Sequence, residues 1–461
     1  MNELQNLATF VSEIKLENVP KEVVAAAKMC ILDTLSTALG GVTNSMFQSI
    51  KEVYLKTEKD GNGGISLWGD KREASLRTVT FLNGMSGHIL ELDDVHINSK
   101  THIGTVVIPA AWTLAQYLQK SGNDLIEAVI CGYEVMARIG MGFGVSSHRN
   151  LGWHVTGTAG TFGSAAACGK LLGFTPAQMT AAFGLAGTQS CSTWAFLSDG
   201  ATNKILHPGR AAVSGLESCL LVKGGMRGSA HILDAEDGGI FPMMSREYDY
   251  SMVDKDLGAV YEILNVDKKP YPCCRSTHCA IEGALNLRKT YHIDPETIDH
   301  VEVYTYLVGL KQCGLSNSSK EPHAATEAKF STPYLVATAF LTGKVGLSDF
   351  EQAKINNTKR QELLKKVVIK EDPIFTERYP HHWGCRVEVT LKNGCTYSQE
   401  IKDASGSVTA PLTPEQMTAK ALSCCEIYHS EQVKELVYTL LNLESCSVLP
   451  DLSALKPVTQ P

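Results

Sequence analysis

The densest collection of reactive side chains is Glu91-Leu92-Asp93-Asp94-Val95-His96, followed at once by Lys100-Thr101-His102-Ile103-Gly104. Three carboxylates and two imidazoles within a dozen residues can do acid–base work, with the carboxylates orienting the histidines and tuning them. The same run also reads as a solvated loop whose aspartates cap the helix that follows. A metal site needs ligands at recognisable spacing. Here there is no HExxH, no histidine pair at i, i+4 and no cysteine nearby, so no metal is expected.

Three further segments carry candidate groups. His154 sits in Asn150-Leu151-Gly152-Trp153-His154-Val155-Thr156-Gly157, between an irregular stretch and a helix of small residues. Lys204-Ile205-Leu206-His207-Pro208-Gly209-Arg210 gathers cationic side chains before a helix, whose free N–H groups and dipole favour an anion; a capped surface loop is the competing reading. Lys268-Lys269-Pro270-Tyr271-Pro272-Cys273-Cys274-Arg275-Ser276-Thr277-His278 combines two rigid prolines with a cluster of bases. Its cysteines lack the spacing of an iron–sulfur site, since no CxxC occurs in the chain. Gly140-x-Gly142-x-Gly144 and Gly157-x-x-Gly160-x-x-Gly163 follow no strand and lack dinucleotide spacing, and there is no Walker A sequence. No nucleotide cofactor is expected.

The elements that must position these residues fall into two textures. Up to about residue 266 the pattern is helical, with Val23, Val24, Ala27, Ile31 and Leu32 recurring on one face after Pro20. Loops such as Lys59–Gly64, Ser121–Asp124 and Gly173–Pro176 punctuate it. Small residues at Gly157, Gly160, Gly163, Ala166, Ala167 and Gly169 predict closely approaching helices. From about residue 267 strands appear: His300–Tyr306 and Arg386–Leu391 alternate, and Lys392-Asn393-Gly394 turns the latter into Thr396–Glu400. Helical stretches are expected at Ala328–Leu341 and Asp349–Lys354, and again in the tail at Pro414–Leu443. The expected fold is mainly α: a large, discontinuous, all-helical domain over residues 1–266, completed by 404–461, with a smaller α+β lid over 267–403 and a cleft between them.

Composition bounds the partners. The chain has 461 residues, 44% of them hydrophobic, and a net charge of −7. That suits folded domains and offers no overall field for nucleic acid or anionic membranes. The most apolar run, around Val106–Leu118, falls short of the ~20 residues of a membrane span, and no secretory peptide is apparent. Fourteen cysteines, two pairs of them adjacent, read as reduced thiols of a cytosolic protein.

In chain order, several of these segments together resemble the MmgE/PrpD family over nearly the whole sequence. They are Glu91-Leu92-Asp93-Asp94 with His102, Gly152-Trp153-His154 through Ala167, Lys204 through Gly209, Tyr271 to His278, Glu327-Ala328-Lys329-Phe330-Ser331 and Leu443 to Leu449. The family includes 2-methylcitrate dehydratase, cis-aconitate decarboxylase and iminodisuccinate epimerase. The resemblance implies a helical domain with an α+β lid, no metal or cofactor, a homodimer, and a small di- or tricarboxylate bound between the domains. It carries catalytic roles to Glu91, Asp94, His102, His154, Lys204 and Lys269. His96, His207 and Arg275 join Lys204 and Lys269 as candidate substrate ligands. This chain has Glu91 where the animal decarboxylase has Asp, and Val95 where it has Thr. Ile103 follows His102 where many bacterial relatives have Pro. The implied chemistry is proton transfer beside a carboxylate. His102 or His154 would act as base, the lysines would hold developing charge, and Glu91 and Asp94 would orient the imidazoles and raise their pKa. Hydro-lyase chemistry stands first, with decarboxylation and epimerisation as alternatives and an inactive ligand-binding paralogue as the non-enzyme reading.

Overall fold

The structure, a computed structural model, describes residues 2–58, 64–198 and 200–458; of the loop Lys59–Gly64 only Gly64 lies among them. The first body is built on helices α1 (Glu3–Glu13), α2 (Lys21–Gly41), α3 (Ser45–Thr57), α4 (Leu76–Ile89), α5 (Gly104–Tyr117), α6 (Gly122–Gly142), α7 (Val155–Leu171), α8 (Pro176–Thr188) and α9 (Leu206–Lys223). Their starts are written locally: Ser121 and Asp124 form a capping box at α6, and Thr175 and Gln178 do so at α8 with Pro176 in the first turn. Helix α7 lies centrally between α6 and α9. Its small residues permit this: a Cβ on Gly163 would stand 2.6 Å from Met136 Cβ, and one on Gly215 of α9 would stand 2.4 Å from the Ala165 nitrogen of α7.

Helix α2 is long and apolar enough, at mean hydropathy 1.4, to cross a membrane by length and composition, unlike any stretch anticipated from the sequence. Here 72% of that apolar window is buried inside the protein. The first body is also not purely helical. Strands β1 (Ile65–Leu67) and β2 (Asp70–Ala74) form an antiparallel hairpin around Gly69, whose φ of +69° suits the tight reversal.

The second body carries helices α10 (His278–Tyr291), α11 (Ala325–Lys329) and α12 (Thr332–Thr342) beside a four-stranded sheet. The sheet order is β6 (Val367–Glu371), β5 (Ile298–Thr305), β7 (Cys385–Leu391), β8 (Thr396–Ile401), with β5–β6 parallel and the other pairs antiparallel. Strands β5, β7 and β8 follow the alternation read from the sequence, and Gly394 at φ +86° makes the turn between the last two. Strand β6 was not anticipated: it is an edge strand with one buried residue, so it shows no alternation. The single helix expected over Ala328–Leu341 is two. The Ser331 hydroxyl accepts from the Tyr334 N–H at 3.1 Å and caps α12, leaving Lys329 at the end of α11. The expected helix at Asp349–Lys354 is a 3-10 turn followed by one short helix. The tail forms α13 (Pro414–Cys424) and α14 (Ser430–Leu441), which pack on α2.

Apolar packing divides the same way. One core runs from Leu4 to Val266 and takes in tail residues from Met417 to Leu452; the other lies between Cys273 and Ala404. Because Gly215 meets backbone rather than a movable side chain, Gly215→Ala is expected to cost about 1–3 kcal/mol in urea unfolding. Gly346→Ala, with open space around an extended backbone at φ −138°, should stay within ~0.5 kcal/mol.

Candidate active site

Two short strands assemble the site. β3 (Val95–His96) pairs antiparallel with β4 (Val266–Asp267), which lays the segment after α4 beside the start of the second body. At the end of α4, Glu91 adopts φ +58°, the left-handed position that helices usually give to glycine. Its side chain faces Lys204 and Lys269. Lys204 Nζ donates to both carboxylate oxygens at 2.6 Å, and Lys269 Nζ donates to Oε1 and to the Glu91 carbonyl, each at 3.1 Å. Burial alone would raise the Glu91 carboxyl; Lys204 and Lys269 hold it well below the usual carboxylate range. A third lysine was not among the sequence candidates. Lys329 Nζ donates to the carbonyls of Ile89 and Leu90 at 3.2 and 2.9 Å, and enclosure of its ammonium pushes it down to about 8.

His102 is held by its Nδ1, 2.9 Å from the Asp94 carbonyl and 3.1 Å from Asp93 Oδ2. Both neighbours are acceptors, so these partners assign the proton to Nδ1 and leave the Nε2 lone pair free. Burial pushes this imidazole down to about 4, Asp93 opposing and Lys204 and Lys269 adding. The ring is a neutral base at pH 7. Asp93 also lies 2.7 Å from Nδ1 of His88, whose ring meets that of His102 edge-on at 4.7 Å. The orienting carboxylate is therefore Asp93, not Glu91 or Asp94, and the imidazole is pushed down rather than raised.

Asp94 points away. Its oxygens accept from the Tyr133 hydroxyl at 2.6 Å and from the Gly104 N–H at 3.0 Å, fixing the start of α5, while burial and Asp33 push it up to about 7. Consecutive side chains in a non-helical segment face opposite sides, which separates the two aspartates. His96 is likewise engaged elsewhere. Its Nδ1 accepts the Ser99 N–H at 3.1 Å and its Nε2 donates to Glu262 at 2.9 Å, so both nitrogens are occupied. Arg275 donates to Asp267 at 2.9 Å and to the carbonyls of Ala404 and Ser405 at 3.3 and 3.4 Å. It ties together the two strands of chain that join the bodies, and its donors are spent there rather than on a ligand.

His154 immediately precedes α7, and its backbone carbonyl accepts from the Gly157 and Thr158 N–H groups. Its ring centroid is 6.5 Å from that of His102, and its Nδ1 is 2.8 Å from Nδ1 of His207. Burial pushes His154 well below its ordinary value, and His207 down to about 4. The structure thus gathers Glu91, His102, Lys204, Lys269, His154 and His207, and places Asp94, His96 and Arg275 in the frame. Glu91, His102, Lys204 and His207 are only 5–8% exposed, so the open cleft anticipated between the bodies is closed here. A cavity of about 70 Å³ is lined by Phe196 and Phe330, whose rings stand 6.4 Å from that of His154 and 5.3 Å from Lys204 Nζ, but by none of the cluster's own side chains.

Models for the MmgE/PrpD N-terminal domain and the MmgE/PrpD C-terminal domain match residues 5–252 and 271–443. The chain belongs to the MmgE/PrpD family. It is 27% identical to the cis-aconitate decarboxylase of Aspergillus terreus, over 97% of this chain and 93% of that protein. Identity to the human (Homo sapiens) cis-aconitate decarboxylase is 28%, over 97% of this chain and 94% of that protein, and to the cis-aconitate decarboxylase-like protein oryM of Aspergillus oryzae 25%, over 98% and 97%. As a member of a family of lyases, the protein adds His88, Asp93 and Lys329 to the residues that face the cluster. Lys329 stands in the Glu327–Ser331 segment that resembles the family, which was its only sequence signal.

One ring nitrogen each of His88 and His102 and a carboxylate oxygen of Asp93 lie within 4.8 Å of one another, close enough to hold a cation. The Asp94 carbonyl beside His102 Nδ1 calls instead for a proton on that nitrogen.

The buried imidazoles make stability pH-dependent. His96, His102, His148, His154, His207 and His278 all lie below their ordinary value in the folded chain, chiefly through burial. Between about pH 4 and 6.5 the unfolded chain binds more protons at these groups. Their stability contribution is full above 6.5 and is lost on acidification, at up to ~1.4 kcal/mol per pH unit for each. Asp94 and Glu134, both pushed up to about 7, oppose this more weakly. Urea midpoints should therefore fall steeply from pH 7 to pH 5; a flat profile would show these histidines to be charged in the folded protein.

Proposed function

We propose that this MmgE/PrpD chain is a lyase that decarboxylates a small unsaturated tricarboxylate of the cis-aconitate type, without a metal. The observation that carries this reading is the charge balance at the cluster. Three ammonium groups, Lys204, Lys269 and Lys329, face two carboxylates, Glu91 and Asp93, and Asp93 is already shared by two imidazoles. A polyanionic substrate supplies the missing negative charge, although the protein as a whole is anionic. Ammonium groups in a water-poor site also stabilise charge that develops beside a carboxylate. The side chains of the cluster are buried, so the two bodies would part to admit a ligand.

In such a decarboxylation the substrate loses CO2 and gains one proton at carbon. In this reading His154, when its Nε2 carries a proton, would supply it, and His102, with its free Nε2, would accept one in a reaction that removes a proton from carbon. Support for decarboxylation over dehydration, the first reading from the sequence, comes from the name carried by relatives that cover nearly the whole chain. The base–donor pairing of His102 and His154 would serve a hydro-lyase as well, with the donor protonating the departing hydroxide. The family resemblance supports a homodimer.

Incubation in D2O with cis-aconitate, citrate, 2-methylcitrate and iminodisuccinate, followed by proton NMR with a chelator present, separates the outcomes. Loss of CO2 from cis-aconitate with deuterium in the product is expected. Dehydration would select the hydro-lyase reading, racemisation the epimerase, and no exchange on any substrate would contradict the lyase. His102→Gln should lower kcat by ~10²–10⁴. Lys204→Met or Lys269→Met should lower kcat/KM by about 30-fold to several thousand-fold.

A further inference from the structure

The contact between His154 and His207 joins like to like: Nδ1 faces Nδ1 at 2.8 Å. A hydrogen bond at that distance needs one donor and one acceptor, so the two nitrogens share a single proton. Among the described residues neither ring makes another hydrogen bond through its side chain. The charged and titratable groups facing His154 are His207, Lys204, His102 and His88; those facing His207 are His154, His88 and Lys204. All but the imidazoles are cationic, and both rings are buried. An imidazolium here would be disfavoured twice, by desolvation and by Lys204. Any proton passing through His154 must move without leaving a charge on it.

We propose that His207 is the positioning residue that sets and renews the protonation state of His154, by passing the shared proton between the two Nδ1 atoms. In one arrangement His154 Nδ1 carries the shared proton, its Nε2 has a lone pair, and His207 carries its one proton on Nε2. When His154 Nε2 takes a proton from a substrate carbon, the shared proton crosses to His207 Nδ1 and His207 Nε2 releases its proton to water. One proton enters, one leaves, and both rings stay neutral. The reverse sequence delivers a proton to carbon and draws a replacement from solvent, which a decarboxylase needs once per turnover. His207 would thus act through His154 without touching the substrate, in place of the ligand role expected from the sequence. This inference rests on the lyase reading for the substrate step, but the pairing itself does not.

Nitrogen-15 histidine labelling of the full-length protein tests the pairing without a substrate. At pH 7 the expected spectrum shows both rings neutral, one with Nδ1–H and the other with a hydrogen-bonded bare Nδ1. Two Nε2–H tautomers, or a cationic ring at pH 7, would overturn the proposal. In D2O, His207→Ala is expected to slow deuterium exchange into the substrate at least ~10-fold while dissociation constants for carboxylate inhibitors change less than about 3-fold. Imidazole should restore exchange, because it can accept at one nitrogen and release at the other. The similarly shaped 1-methylimidazole should not, because it lacks a second exchangeable site; equal rescue by both, or full exchange without either, would reduce His207 to a packing role and overturn the proposal. Where neither rescues, a shift of His154 toward the Nε2–H tautomer in the variant supports it and an unchanged tautomer refutes it. If the wild-type protein exchanges no polycarboxylate, the lyase reading fails while the tautomer spectra still decide the pairing.

Discussion

Four consecutive backbone carbonyls, Ile89 to Leu92, accept hydrogen bonds from lysines that arrive from three separate parts of the chain. Lys329 of α11 takes the first two, Lys269 beyond β4 takes the third, and Lys420 of α13 takes the fourth at 2.8 Å. A helix C-terminus leaves carbonyls without partners and carries the negative end of the dipole, so cations are favoured there. Each ammonium in turn needs acceptors, because an unpaired buried charge costs several kcal/mol. The end of α4 thus binds the second body and the tail to the first. Two of these three lysines, Lys269 and Lys329, also charge the site, while Lys420 pairs with Asp33.

That constraint accounts for the local irregularities. Glu91 occupies a left-handed conformation that costs of order 1 kcal/mol or more in a residue with a side chain, and it is compensated by two ion pairs. Beyond that turn, neighbouring side chains face opposite ways, separating Asp93, which orients His88 and His102, from Asp94, which holds the start of α5. Gly104 completes the arrangement: a Cβ there would stand 2.2 Å from Thr34 Oγ1 and 3.1 Å from Asp94. The result is a set of neutral imidazoles beside an excess of ammonium groups. Bases that stay unprotonated at pH 7 and cations that await a polyanion are two consequences of one enclosed site.

The helical texture, the alternation of β5, β7 and β8, and the close approach of α7 to its neighbours were legible because each is a local or periodic property. Ser121 and Thr175, which the sequence marks only as loop residues, cap the helices that follow them. The site was legible as a set of segments but not as a set of contacts. Nothing in Glu91-Leu92-Asp93-Asp94 shows which acid meets a lysine, which meets an imidazole and which faces α5, because a left-handed residue and the extended segment after it decide it. Lys329 was hidden because a helix break at Phe330–Ser331 places it, where the apolar pattern suggested one continuous helix. His96 and Arg275 have the chemistry of ligands, and only their partners, Glu262 and Asp267, show them to be fixed in the frame.

The central claim is that a polycarboxylate seats its charge on the lysines around Glu91 and brings a carbon to His102. A crystal structure with bound propane-1,2,3-tricarboxylate, which has the carboxylates but no double bond or hydroxyl to react, tests it most directly. One ligand carboxylate is expected within hydrogen-bond distance of Lys204 or Lys269 Nζ, with the ligand's carbon chain against His102 Nε2. A ligand bound elsewhere, with both lysines still closed on Glu91 and His102 uncontacted, would contradict it.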